Sequence, residues 1–315
     1  MTSPLLLPGL DGRNPLGFLA ALGTVALASR AYAEQTVRLS WCKDSGGWRP
    51  QLHFHHCETA DGLLDKLSTA QLLSRVSPAF DLGDDLDLPL ALFRQAALAA
   101  LLGGSAGDRT YLDFLSAFGS EAVEAKSNGK ATGTISDTAF RTMSGAGHQH
   151  FLKTMRTLCA DTTVEHVKNT LFARWTYGDP SKNHTMRWDP ADDVRYALRW
   201  ANPSDDKDRA DRGSMWGANH LAVEALVLFP TVPRGSRLAT TGIVEAPPTG
   251  TTFTWPIWEA PVGIDVVRSL LALDELRSSS PDRTVLERRG VVAVFRSTRF
   301  TQGKFRNFGL AAAVV

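Results

Sequence analysis

An α+β fold, built from mixed helices, antiparallel sheet and long functional loops, is predicted by three observations. A helix-length apolar segment opens the chain, two alternating runs joined by a tight turn follow it, and strand-like aromatic segments close it. In chain order, Leu5, Leu6 and Leu7 form a short apolar run, and Pro8-Gly9 and Asp11-Gly12 make turns. Asn14 then caps, and Pro15 begins, a helix predicted over 15–33. Gly17 and Gly23 cost that helix propensity, so they mark places where another backbone comes close. Residues 37–41 alternate cleanly, and 48–55 follow across Asp44-Ser45-Gly46-Gly47, which reads as a hairpin.

Residues 58–75 and 88–102 read as amphipathic helices, the second ended by Gly103-Gly104. Residues 126–138 are polar and glycine-rich and are expected to be a flexible loop. Helices are predicted at 147–160, 217–228 and 261–278, with loops at 176–190 and 202–217. Strand character marks 243–258, with Trp255 and Trp258, and then 290–296 and 307–315, which flank a basic turn at 297–306. No internal repeat or heptad run is present. The chain is expected to divide into an acidic helical and hairpin region, 1–125, and a basic α+β region, 126–315, either as two units or as one continuous domain.

With 315 residues, 43% of them hydrophobic, the chain has material for a large core. Its net charge is only +1, but the charge is unevenly placed. Residues 58–124 carry eleven acids against four bases, net −7. Residues 126–187 carry nine bases against four acids, net +5, and residues 285–315 carry six bases against one acid, again +5. Cys42, Cys57 and Cys159 are too few and too scattered for a disulfide framework, so a reducing, cytoplasmic compartment is expected. The apolar stretch 16–33 follows Asp11 and Arg13, contains glycines and lacks a cleavage site, so neither a signal peptide nor a membrane span is expected.

The chain has no GxxxxGK[ST] loop, GxGxxG turn, GxSxG elbow, HExxH helix or paired CxxC. His53, His55 and Cys57 would share a face if a strand continued that far, but the favoured reading is a half-exposed strand with polar rings. Asp81, Asp84, Asp85 and Asp87 read as a solvated acidic turn without EF-hand spacing. Asp189, Asp192 and Asp193 read as acids opening a helix, near Arg195 and Arg199.

Three segments suit a polyanion better. Residues 144–150 (SGAGHQH) free the backbone ahead of a helix start, where unpaired N–H groups and the dipole favour an anion, and Lys153 and Arg156 lie further along that helix. Arg174-Trp175, Lys182-Asn183 and Arg187-Trp188 interleave cations with aromatics, which neutralise phosphates and accept bases. Residues 296–306 carry Arg296, Arg299, Lys304 and Arg306 with two phenylalanines on what reads as a hairpin tip.

The opening residues 10–23 (LDGRNPLGFLAALG), with Leu39-Ser40-Trp41 and Trp48-Arg49-Pro50, resemble subtype I-G (formerly I-U) CRISPR-associated proteins. Arg187-Trp188-Asp189-Pro190, Arg195-Tyr196-Ala197-Leu198, Gly217-Ala218-Asn219 and Leu228-Phe229-Pro230 share that resemblance, so it is spread over most of the chain. It implies a compact large-subunit-like component of the crRNA-guided Cascade complex. Such a component recognises the target-flanking motif, binds target DNA beside other Cascade subunits, and precedes recruitment of the helicase–nuclease. The His-Asp and helicase signatures of that nuclease are missing here.

The expected mechanism is therefore binding, with no catalytic residue, metal or cofactor. Lys126, Lys130, Arg141, His148, Lys153, Arg156, Arg174, Trp175, Lys182, Arg187, Arg296, Arg299, Lys304 and Arg306 are candidate contacts to crRNA or target DNA. Asn128, Gln149, Asn183 and Gln302 are candidate readers of base edges. The acidic, apolar N-terminal part would dock on neighbouring subunits. A rival reading is a metal-dependent hydrolase or nuclease using His148, His150, Asp189, Asp192 and Asp193; a third is an assembly protein without nucleic-acid contact.

Overall fold

The computed structural model describes residues 3–70, 73, 76–103, 106–143, 150–180, 184–192, 213–246, 250–302 and 305–315. The elements run β1 (Leu5–Leu6), α1 (Pro15–Ala31), β2 (Arg38–Asp44), β3 (Gly47–His53), α2 (Ala60–Thr69), α3 (Leu90–Gly103), α4 (Ala106–Phe118), β4 (Gly119–Ser127) and β5 (Lys130–Asp137). Next come α5 (Phe151–Asp161), α6 (Val164–Phe172), β6 (Asp179–Pro180), β7 (Gly213–Ser214), α7 (Trp216–Glu224), β8 (Thr231–Arg234), β9 (Arg237–Thr240), β10 (Ile243–Ala246) and β11 (Gly250–Trp258). The chain closes with β12 (Val262–Gly263), α8 (Ile264–Leu271), α9 (Arg283–Arg288), β13 (Val291–Gln302), β14 (Phe305–Phe308) and β15 (Ala312–Ala313). Every strand pairing among the described residues is antiparallel, so the α+β class is as the sequence predicts.

Helix α1 is the axis of the molecule. Asn14 Oδ1 accepts from the amides of Leu16 and Gly17, and every residue from Pro15 to Ala28 is buried. A helix that is apolar all round has to be surrounded, and this one is. Gly23 meets α7 so closely that a Cβ there would lie 1.6 Å from the Leu221 carbonyl oxygen. Phe18 stacks on Trp41 of β2 and on Trp255 of β11, both with ring centroids 5.6 Å apart, and so ties two sheets to one helix.

The first sheet has the order β1-β3-β2-β12, the second β10-β11-β13-β14 with β15 added to β13. Because β12 returns to pair with β2, residues 262–263 complete a sheet begun near the N-terminus. Trp258 Nε1 donates to the Leu39 carbonyl at 2.9 Å, and one hydrophobic cluster runs from Leu7 to Phe308. Residue 125 lies inside β4. Among the described residues no helix is long and apolar enough to cross a membrane.

Several local expectations need correction. Residues 126–138 are not a loop: β4 and β5 pair up to Ser127↔Lys130, and Asn128 (φ 50°) and Gly129 (φ 77°) make the turn. Asn-Gly is a strong two-residue hairpin signal because both positions need positive φ. Residues 297–302 are not a turn either, since β13 runs through them to Gln302. The strand carrying His53 ends there, leaving His55 and Cys57 exposed outside it. The predicted helix 261–278 breaks after Leu271 into a 3-10 turn at Asp274–Arg277. Helices α4 and α6 are not among the elements the sequence predicts.

Candidate nucleic-acid interface

The fold uses its arginines in two ways. In the first, the side chain is enclosed by the protein or bonded to its groups. Arg141 sits against three carboxylates, with Nε 3.0 Å from Asp85, Nη1 3.0 Å from Asp87, and Nη1 2.5 Å from Asp137. These partners hold its pKa well above the usual arginine value despite the opposing effect of burial. Arg156 donates to the carbonyls of Phe80 and Gly83 and pairs with Asp84 at 2.6 Å. Two expected phosphate-binding arginines are thus counterions of the acidic turn Asp81–Asp87. Arg187 is buried, and its carbonyl accepts from the Phe308 amide. Arg296 is tied to Thr254 Oγ1 at 2.9 Å and to the carbonyls of Ser278 and Ser279. All four are withdrawn from the candidate interface.

The second group lines one cleft. Two adjoining hollows of about 210 and 410 Å³ share Asp137, Ala139, Arg237, Leu238 and Glu245. Around them stand Lys126 of β4, Arg234 and Arg237 of the β8–β9 hairpin, Arg277, Arg299 of β13 and Arg306 of β14. Strand register explains the closeness of the last two. Arg299 pairs with Phe308 and Thr301 with Arg306, so Arg299 and Arg306 share a face on a diagonal, a relation that puts Cβ atoms roughly 7–8 Å apart. Two like charges at that spacing repel, and an anion between them removes the repulsion.

Arg299 is anchored by the Ala139 carbonyl and by Thr251 Oγ1 at 3.2 Å, while its buried Nε has no acceptor among the described residues. Burial, with the charge of Arg306 added, pulls its pKa below the ordinary arginine value. Asp137, on the floor, is pushed up by burial against the pull of Arg141 and Arg306. Lys126, Arg234, Arg237, Arg277 and Arg306 make no side-chain hydrogen bond or ion pair with any described residue. Lys126, Arg234, Arg237 and Arg277 are exposed, and Arg306 is half-buried.

Lys126, Asn128 and Lys130 are exposed at the β4–β5 tip, and Lys126 reaches the cleft. Lys153 is exposed on α5, and Arg174 is exposed after α6; neither lines the cleft. Trp175 is partly buried and donates to the Thr170 carbonyl at 3.0 Å, which makes it a packing residue. Gln302 pairs through its backbone with Phe305 at the end of β13. His148, Gln149, Lys182, Asn183 and Lys304 lie outside the described residues, as do Asp193, Arg195 and Arg199. Sequence reasoning missed Arg234, Arg237 and Arg277. The turn Arg234-Gly235-Ser236-Arg237 was the available signal, since a glycine between short apolar runs marks a hairpin and two arginines mark its tip.

Among the described residues no three His, Cys, Asp or Glu side chains gather as metal ligands would. No known protein family model matches the chain, and no curated protein matches it.

Proposed function

We propose that this chain is a polynucleotide-binding, non-catalytic subunit of a crRNA-guided complex of the subtype I-G kind its motifs resemble. In that reading it contacts crRNA and target DNA, sits beside other Cascade subunits, and acts before the helicase–nuclease is recruited. One observation carries it: cations from the middle of the chain (Lys126, Arg234, Arg237) and from its far end (Arg277, Arg299, Arg306) line one cleft. Neutralising phosphates in such a cleft releases counterions, which is the dominant source of affinity for nucleic acid. Docking on protein neighbours finds support in α3, which leaves Leu98, Leu101 and Leu102 exposed on the acidic side of the sequence.

The test is binding of a labelled DNA strand and of a duplex, followed by anisotropy across a salt series. A slope of log K against log salt equivalent to several released counterions is expected, and it should be lost in the double charge reversal R237E/R306E. A flat salt dependence in the native protein overturns the reading. Co-expression with a repeat–spacer transcript and neighbouring subunits tests the assembly: the chain should co-purify with processed RNA.

A further inference from the structure

Two of the segments that carry the family resemblance, 10–23 and 187–190, meet in space, at residues that line neither hollow of the basic cleft. Asp11, Arg13 and Asn14, at the head of α1, and Asp189, Pro190 and Ala191 line one open cavity of about 730 Å³. Small-molecule sites occupy roughly 300–1,000 Å³ and combine apolar walls with a few fixed polar groups. This cavity has both.

Its polar groups are bonded to one another. Asn14 spends Oδ1 on the helix cap and donates through Nδ2 to Asp189 Oδ1 at 3.2 Å. The same carboxylate accepts from the Ala191 amide at 2.9 Å and from the Tyr177 hydroxyl at 3.1 Å. At the mouth Arg13 is held by Asp11 through Nε and Nη2, which leaves Nη1 without a described partner. The walls include Pro190, Ala191, Leu310 and Ala311, and Leu310 is 69% exposed, a large apolar side chain with no described neighbour to cover it. A flat ring between the apolar walls, with an anion at the arginine, covers Leu310 and gives Arg13 Nη1 an acceptor.

The cavity also lies on the same stretch of chain as the cleft. Arg306 faces the cleft and Leu310 lines the cavity, four residues later. Extended backbone covers at most about 3.3–3.6 Å per residue, so the two are within roughly 14 Å. A strand seated in the cleft has its neighbouring nucleotides within reach of the cavity. We infer that the cavity receives one unstacked nucleotide of the strand held in the cleft, its base between Pro190 and Leu310 and its phosphate at Arg13. This inference rests on the polynucleotide reading above. Extruding a base costs unstacking energy that a fitted pocket returns, which makes an unpaired strand the natural ligand.

The test uses the full chain with a single-stranded oligonucleotide containing one 2-aminopurine, whose fluorescence rises on unstacking. The native protein should raise that fluorescence and bind the strand more tightly than an abasic counterpart. Leu310→Ala, at an exposed position outside the cleft, should abolish the rise and weaken binding about fivefold, as expected when one apolar side chain no longer covers the base, with the salt slope lowered by no more than about 0.7, the share of the single phosphate at Arg13. Ala191→Trp, which fills the cavity, should do the same. If the strand binds with a steep salt slope but without a fluorescence rise, and the abasic strand binds equally well, the inference fails while the polynucleotide reading stands. If no strand binds at low salt, both fail. If adenosine monophosphate binds in a Leu310-dependent way and no strand does, the site serves a free nucleotide and the inference is overturned.

Discussion

Arg141 and Arg306 belong to equally basic stretches of the chain, yet the fold uses them in opposite ways. Arg141 is spent on Asp85, Asp87 and Asp137, and Arg156 beside it on Asp84 and two carbonyls. Arg306 shares its cleft with Arg299, Arg237 and Lys126 and forms no ion pair with a described acid. The acidic turn thus engages its arginines within the protein, and the cleft does not. Counting bases along the chain cannot separate them, because a guanidinium is available to a ligand only where no carboxylate of the same protein reaches it first. The distinction is energetic. A buried pair deprived of one partner leaves an uncompensated charge in a poor solvent, whereas an exposed, unpaired cation is removed at little cost.

That difference sets the order of expected effects. Arg141→Ala should be the most damaging change, costing about 3–5 kcal/mol because it strands the enclosed Asp85 and the part-buried Asp137, while the exposed Asp87 keeps its water; urea denaturation measures it. A loss under about 1 kcal/mol would mean that the three carboxylates do not depend on this arginine. Arg156→Ala, partly exposed, should cost about 1–3 kcal/mol through carbonyls left without a donor. Neither should lower the salt slope of binding in protein that remains folded.

Asp189 sharpens the comparison from the acid side. Unlike Asp85, which faces the Arg141 guanidinium, it is held by the neutral groups of Asn14, Ala191 and Tyr177. Burial therefore raises its pKa above 3.8. A carboxyl with a raised folded-state pKa stabilises the fold while protonated, and that contribution fades as pH climbs through the raised value. Asp189→Asn should gain stability relative to the native chain as pH rises above the ordinary aspartate range. Thermal melts across that range check it, and a gap that does not change with pH would contradict the buried, uncompensated carboxylate.

The smallest effects on stability belong to the cleft. Arg237→Ala and Arg306→Ala should each change stability by no more than about 0.5 kcal/mol, yet each should reduce the salt slope of strand binding by about 0.7–0.9 for every phosphate it no longer neutralises. Lys153→Ala, an exposed cation elsewhere, should leave the slope alone. Equal responses at Lys153 and Arg306 would erase the distinction between a cleft and a generally basic surface.

Local signals in the sequence were reliable where a single rule was decisive. Asn14-Pro15 started α1 at the residue expected, and Ser45-Gly46 closed the β2–β3 hairpin. The Asn128-Gly129 turn carried an equally clear signal that polarity obscured, since two exposed strands lack the apolar alternation that marks a half-buried one. The run 297–302 read as a turn for a similar reason, its charges belonging to a strand that also carries the buried Phe295 and Ser297. Of the candidate site, Lys126, Arg299 and Arg306 were legible in the sequence and remain in the cleft. Arg234, Arg237 and Arg277 were not, because they stand outside the stretches of charge excess.

The sequence by itself determined the α+β class, the buried first helix, the first hairpin and the uneven distribution of charge, all consequences of side-chain periodicity and backbone preference over a few residues. Only the tertiary structure decided which cations are free, which carboxylates they would otherwise meet, and that Asn14 lies against Asp189 across 175 positions. Those outcomes depend on distances between segments far apart in the chain. Electrostatic interaction falls with separation in space and takes no account of separation in sequence.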